Sequence, residues 1–319
     1  MSRIHEALKK AEEERAGQQS TLGVAQPQET PPVSAVKVTA PSTPASQELD
    51  IAPLTLSLLS AHSARPAWNP DPERALFLDP DVHSAPGAEE FRSLRSRLYR
   101  IREKQSLKTL LIGSAVSGEG KSFVASNLAQ MMARQRGRRV LLIDGDLRRS
   151  SLHRFLGTSP APGLLEYLRG SVDEASIVQH SPLEDLFFIP AGTAAENPAE
   201  FLNNGRLKAL IQRLEPVFDW MIIDSPPVVP VSDASLMSEV CDGVVLVVKA
   251  ASTPYEMARK ALDEFKGRPL LGVVLNGVEA RATYSSYYYG AYRDASKPPA
   301  EGKKSKAAKE NGTKSRSGK

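Results

Sequence analysis

Thr109-Leu110-Leu111-Ile112-Gly113-Ser114-Ala115-Val116-Ser117-Gly118-Glu119-Gly120-Lys121-Ser122-Phe123 decides the fold of this chain. The run Thr109–Gly113 reads as an apolar strand, and a helical pattern starts near Gly120 and continues through Val124, Leu128 and Met131. The Gly-rich turn between them lets backbone N–H groups converge on a phosphate, and Gly118 and Gly120 keep that approach free of Cβ atoms. Lys121 is then able to reach the β- and γ-phosphates, and the Ser122 hydroxyl to take one position on Mg²⁺. The helix start adds roughly half a positive charge at the same spot. Ala115 stands where the strict pattern has Gly. A surface turn with an incidental Gly-Lys-Ser is the bland alternative, and each further motif weakens it.

Apolar strands alternate with helical patterns through the middle of the chain. Strands are expected at Thr109–Gly113, Val140–Ile143, Leu186–Ile189, Trp220–Ile223, Val244–Val248 and Gly272–Leu275, and a helix from Glu89 to Arg102 with Phe91, Leu94, Leu98 and Ile101 on one face. Near-continuous apolar strands imply burial on both faces, so the expected fold is α/β, a mostly parallel sheet with helices on both faces. Ligands of such sheets sit at the carboxyl ends of the strands. The acidic motifs fall there: Asp144-Gly-Asp146-Leu-Arg148-Arg149 after one strand, and Asp224-Ser-Pro-Pro after another. An apolar strand ending in Asp beside a phosphate loop is a common way to hold Mg²⁺; Ser122, Asp146 and Asp224 are the expected set. A helix cap or turn carboxylate is the structural alternative for each aspartate.

Tyr284, Tyr287, Tyr288, Tyr289 and Tyr292 are five of the eight tyrosines in the chain, gathered just past the last expected strand. A core rarely takes three adjacent phenols, because each O–H needs a partner. Phosphate acceptors, a stacking surface and plain packing all remain open on the residues alone. A phenol has a pKa of about 10, so attack at neutral pH needs a base; Asp144 is the first choice and Asp146 the second.

Around this core the composition changes. Residues 1–16 carry a short amphipathic pattern, with Ile4, Ala7, Leu8 and Ala11 on one face. Residues 17–86 are dense in Pro, Ser, Ala, Thr and Gln and are expected to be a disordered linker. Residues 87–280 form the expected folded domain, 281–292 the tyrosine cluster, and 293–319 a disordered tail with nine basic and three acidic side chains. The formal net charge of +4 therefore belongs to the tail. Cys241 is the single cysteine, so no disulfide framework is available. No run approaches the roughly 20 apolar residues of a membrane helix, and the expectation is a cytoplasmic protein held to a membrane only through a partner. The basic tail lacks interleaved aromatics, so nucleic-acid binding is not expected.

Taken together, the phosphate loop, the Asp-x-Asp-x-Arg motif and the terminal tyrosines resemble the bacterial tyrosine kinases (the BY-kinase family) over about Glu89 to Tyr292. The resemblance implies a P-loop NTPase domain, ATP and Mg²⁺ as cofactors, and phosphorylation of the chain's own tyrosines to regulate exopolysaccharide or capsule synthesis. It implies catalytic roles for Lys121, Asp144, Asp146 and Arg148, and nucleotide contacts from Ser117, Gly118, Glu119, Gly120, Lys121, Ser122, Phe123 and Asn276, the last to adenine. It also implies that Glu89, Arg92 and Arg95 join subunits into a ring. Without the resemblance, i,i+3 ion pairs on a solvated face are the better reading of that helix. Ile189-Pro190-Ala191-Gly192 and Asn197-Pro198-Ala199-Glu200 match a family segment before the acidic strand.

Departures are Ser117 where Pro is common and Val116 where partition-type ATPases carry a signature lysine. The second argues against a positioning ATPase, the main alternative, beside a nucleotide-sensing scaffold. The split form of the family, to which this chain is similar, works with a membrane polysaccharide co-polymerase as activator and with a tyrosine phosphatase. The eight residues from Asn276 to Tyr284 span about 28 Å when extended, enough to make delivery to a neighbouring subunit feasible.

Overall fold

The computed structural model describes residues 54–78, 87–194 and 197–278. The chain divides into residues 1–51 and 52–319, and all described residues belong to the second unit. The expected N-terminal helix, most of the linker, the tyrosine cluster and the basic tail lie outside the described residues.

Seven strands form one sheet: β1 (Thr109–Ser114), β2 (Val140–Asp144), β3 (Gln179–His180), β4 (Leu186–Ile189), β5 (Trp220–Asp224), β6 (Gly243–Lys249) and β7 (Leu270–Asn276). Their order is β3-β4-β2-β5-β1-β6-β7. Every pairing is parallel except β3 with β4. The six expected strands are all present. The two-residue β3 offers no alternation to read and was not expected.

Alternating side chains fill two cores, one on each face of the sheet. Leu111, Leu141, Ile143, Met221 and Ile223 point to one, and Leu110, Ile112, Val140, Leu142 and Ile222 to the other. This is the period-2 pattern of strands buried on both sides. Burying each such side chain contributes about 1.5–3 kcal/mol.

The second core is roofed by α2 (Ala88–Arg102), which buries Phe91 and Leu98, and by α3 (Lys121–Ala133), which is buried almost all round. A helix with no exposed face must find partners for its polar side chains. Asn127 and Gln130 on α3 find theirs in residues 54–78. Leu76 N donates to Asn127 Oδ1 (2.8 Å), Asn127 Nδ2 donates to the Arg74 carbonyl (2.7 Å), and Phe77 N donates to Gln130 Oε1 (2.9 Å).

A disordered linker over all of 17–86 is thereby corrected. Residues 54–78 carry the helix α1 (Leu56–His62) and bury Leu54, Leu59, Phe77 and Leu78. Pro66, Pro70 and Pro72 break any apolar period in this strap, and main-chain groups bonded to buried amides do much of its anchoring.

Candidate nucleotide and phosphoryl-transfer site

The topology brings three strand ends together. β5 lies between β2 and β1, and Asp144 on β2 is in register with Asp224 on β5. In adjacent strands such a pair is about 5 Å apart, close enough for the two carboxyls to repel. Both are fully buried. Burial, then the Asp224 charge, push Asp144 up to about 8, although the Leu152 and Asp146 N–H groups pull it back. Burial pushes Asp224 up to about 6 against the pull of the Lys121 charge and the adjacent Ser122 hydroxyl.

The turn after β1 has the expected shape. Gly118 and Gly120 have φ of 85° and 92°, a region that disfavours any side chain. A Cβ on Gly118 meets nothing within 4 Å, whereas one on Gly120 lies 2.0 Å from Asn276 Nδ2. Glu119 turns inward and is buried. Its Oε2 accepts from Val116 N (2.7 Å) and its Oε1 from the Thr253 hydroxyl. The Glu119 side chain thus shapes the loop from behind.

Asn276 belongs to the same brace. Its Nδ2 donates to the Glu119 carbonyl at 2.8 Å, and it is not among the side chains lining the cavity in front of the loop. This geometry gives Asn276 a loop-bracing role.

That cavity has a volume of about 690 Å³. Ser117, Gly118, Gly120, Lys121, Ser122 and Phe123 line one side, and Asp146 and Arg148 face them. Lys121 Nζ lies 3.4 Å from Asp146 Oδ2. Burial works against the lysine charge, but Asp224 and Asp146 outweigh it and hold its pKa above the ordinary value. Asp146 Oδ1 accepts from Arg149 N at 2.9 Å.

Asp144, expected as the first-choice base, does not line the cavity. Its Oδ2 accepts from Ser151 N (3.3 Å) and Leu152 N (3.1 Å) at the start of α4 (Leu152–Leu156), and its Oδ1 from Asp146 N (3.2 Å). The capping alternative therefore describes its contacts. Arg148 is held by Asp233 at the start of α8 (Asp233–Ser238), through Nε at 2.7 Å and Nη2 at 3.2 Å.

Asp224 tests the fit to a metal. Neither of its oxygens has a hydrogen-bond partner of normal geometry, although both are enclosed. Orphaned buried carboxylate oxygens beside a hydroxyl suit a hard cation with its water. Among the described residues no three acidic, His or Cys side chains converge with metal-ligand spacing. Ser122 and Asp224 would leave the other positions to phosphate oxygens and water, as Mg²⁺ prefers.

The remaining expected residues are placed as follows. Glu89 Oε2 accepts from Arg92 Nη1 at 3.0 Å as an exposed i,i+3 pair, and Arg95 Nη1 donates to the Met131 carbonyl (3.0 Å) at the end of α3. Pro190 and Ala191 accept from Leu164 N and Leu165 N, and Pro198 opens α6 (Pro198–Leu202). Cys241 donates its thiol to the Met237 carbonyl. Arg74, Ser151, Phe155, Pro230 and Val231 also line the cavity and carry no motif of their own in the sequence. Ser151 and Phe155 follow the Asp-x-Asp-x-Arg run closely, and Pro230 and Val231 follow Asp224, whereas Arg74 has no local signal.

A family model described as the CobQ/CobB/MinD/ParA nucleotide binding domain matches residues 110–298. The tyrosine-protein kinase CpsD of Streptococcus agalactiae is 34% identical over 226 residues, 69% of this chain and 97% of CpsD. The tyrosine-protein kinase YwqD of Bacillus subtilis (strain 168) is 35% identical over 206 residues, 64% of this chain and 86% of YwqD. The solved kinase domain of Escherichia coli tyrosine kinase ETK aligns with a TM-score of 0.62 at 31% identity, over 65% of this chain and 82% of that one. A match along nearly the whole of CpsD, on a nucleotide-binding fold with the loop and strand-end carboxylates described above, makes this chain a member of the bacterial tyrosine-protein kinase family.

Proposed function

We propose that this protein-tyrosine kinase is an ATP- and Mg²⁺-dependent autokinase that phosphorylates Tyr284, Tyr287, Tyr288, Tyr289 and Tyr292 of a neighbouring copy. By this reading it regulates exopolysaccharide or capsule synthesis and export. The observation that carries the site assignment is the juxtaposition of Lys121 with Asp146 on one cavity, beside Ser122 and the unpartnered Asp224.

Phosphoryl transfer needs positioning, charge neutralisation and a proton acceptor. The loop N–H groups and Lys121 bind the β- and γ-phosphates. Ser122 and Asp224 would hold Mg²⁺, which when bound supplies further neutralisation of phosphate charge. A phenol oxygen bonds to the γ-phosphorus as the bond from that phosphorus to the bridging oxygen breaks, leaving ADP. The phenol proton passes to a carboxylate. Asp146 faces the cavity and Asp144 does not, which favours Asp146 for that task. Asp144 then acts as a positioning residue, orienting Asp146 through its N–H.

The same reading takes Glu89, Arg92 and Arg95 as contacts between copies in a ring. A membrane polysaccharide co-polymerase would act as activator and hold the kinase at the cytoplasmic face, and a tyrosine phosphatase would reset it. Among the described residues no helix is long and apolar enough to cross a membrane.

The test is incubation of the full chain with ATP and Mg²⁺, with and without a cytoplasmic peptide of the activator, followed by mapping of phosphotyrosine. Label on residues 284–292 that is lost in Lys121→Met is the expected result. Replacing the five tyrosines by Phe removes the label and leaves nucleotide binding intact. Hydrolysis with no phosphotyrosine, even with the activator present, favours a positioning ATPase instead.

A further inference from the structure

The cavity lining is apolar as well as charged. Phe123, Phe155, Pro226 and Val231 belong to it, and the Arg74 guanidinium lies over the Phe155 ring, 4.8 Å from its centroid. Arg74 reaches this place because the strap is fastened to both walls of the cavity. On one side the strap bonds to Asn127 and Gln130 of α3, the helix that starts at Lys121. On the other, Asp71 N donates to the Phe155 carbonyl and Asn69 N to the Gly157 carbonyl, each at 2.9 Å. Asp71 Oδ2 fixes Arg74 Nε at 3.1 Å, and the Arg74 side chain is still 56% exposed.

The direction of the nucleotide follows from Lys121. Its ammonium leans toward Asp146 at 3.4 Å, so the terminal phosphate lies on the Asp146 side of the loop. Phe155 is on α4, whose first N–H groups are bonded to Asp144 at the end of β2, so the Arg74–Phe155 wall lies on the Asp146 side of the loop. A triphosphate whose terminal group meets both Lys121 and Asp146 would turn its nucleoside end away from that wall.

We propose that Arg74 and Phe155 form the ring-binding wall of the acceptor subsite, receiving a tyrosine phenol whose hydroxyl reaches toward Lys121 and Asp146. This inference rests on the kinase reading above. A phenol ring fills an apolar slot flanked by a cation, and a guanidinium attracts the face of such a ring. A serine or threonine acceptor leaves the slot empty, and its short side chain does not carry a hydroxyl across the wall. The pair is thus a determinant of tyrosine selectivity supplied by a segment outside every nucleotide motif.

The experiment uses the full chain with its five C-terminal tyrosines replaced by Ala, so that no aromatic tail competes, and a synthetic peptide of residues 281–292 as acceptor. Arg74→Ala and Phe155→Leu raise KM for the peptide by about two- to fivefold, the range of an exposed cation–π contact. KM for ATP and the affinity for ADP stay within about twofold of the parent, and Arg74→Lys recovers part of the loss. A thermal midpoint close to the parent's shows that the strap is still fastened; if Arg74→Ala lowers it, Arg74→Gln is the variant to read. A rise in KM for ATP in place of the peptide means that the wall binds the nucleoside and overturns the proposal, as does an unchanged KM for both. If the parent labels no peptide tyrosine at all, the kinase reading itself has failed, which is a separate result.

Discussion

Asn276, at the end of the last strand, donates its side-chain amide to the main-chain carbonyl of Glu119, 157 positions earlier, at 2.8 Å. Thr253 and Val116 bind the Glu119 carboxylate from two more segments. The phosphate loop is therefore clamped from behind at its Glu119, and its N–H groups are held ready on the other side.

Asn276→Ala removes this clamp. A net hydrogen-bond contribution of about 1 kcal/mol translates into a nucleotide affinity weaker by roughly fivefold. Preference for ATP over GTP stays as in the parent, because the lost contact is to the loop. Calorimetric titration with both nucleotides checks this, and a collapse of base preference would show that Asn276 reads adenine after all.

The two loop glycines are not equivalent. Gly118→Ala meets no neighbour, so only its φ of 85° is strained, by about 1–2 kcal/mol. Gly120→Ala has φ of 92° and also drives its Cβ to 2.0 Å from Asn276 Nδ2. Thermal unfolding of the metal-free protein is expected to show Gly120→Ala as the more damaging, and the double variant Gly120→Ala with Asn276→Ala as partly restored. Equal effects of the two glycine substitutions would contradict the clamp.

These positions also show how far the chain could be read before it was folded. Strand ends at Asp144 and Asp224 were legible because continuous apolar runs leave few other readings, and because carboxylates at such ends have a recognisable use. The loop was legible for the same reason. Asn276 is hard to place from sequence, since a carboxamide advertises a donor and an acceptor but not their targets. Asp144 and Asp146 look alike in sequence, and only the turn after β2 decides that one faces inward to backbone N–H groups and the other faces the cavity. The strap escaped notice because it depends on buried Asn127 and Gln130, some 50 positions away, and periodicity has no means of reporting such a pairing.

Stability of the metal-free protein is expected to fall as pH rises. In the unfolded chain Asp144 and Asp224 lose their protons near 3.8, whereas in the folded chain they keep them to about 8 and about 6. Between those values the folded state binds more protons than the unfolded one, so unfolding becomes easier with each step upward in pH. The decline sets in near pH 4 and flattens above about pH 8. Asp224→Asn reduces the slope and raises the metal-free midpoint at pH 8, while Mg²⁺ with ADP flattens the parent's curve. Thermal melts across pH 5 to 9 in chelator measure this; a midpoint that climbs over that range would rule out two buried carboxyls with raised pKa values.

Asn127 makes the clearest test of whether the strap belongs to the folded domain. It is fully buried, and its carboxamide both accepts from Leu76 N at 2.8 Å and donates to the Arg74 carbonyl at 2.7 Å. A third bond, to the Phe123 carbonyl at 2.9 Å, ties it to its own helix. Asn127→Leu keeps the approximate volume of the side chain but strands a part-buried strap donor and a part-buried strap acceptor, at about 0.5–1.5 kcal/mol for each bond lost. The expected loss is about 1–3 kcal/mol on chemical denaturation, larger than for Leu76→Ala, whose side chain is only partly buried. Proteolysis should then cut within 54–78 before it cuts the sheet domain, because the strap detaches while the two cores stay closed. If Asn127→Leu unfolds at the parent's denaturant midpoint and resists early cleavage, the hydrogen bonds to the strap are not what holds it in place.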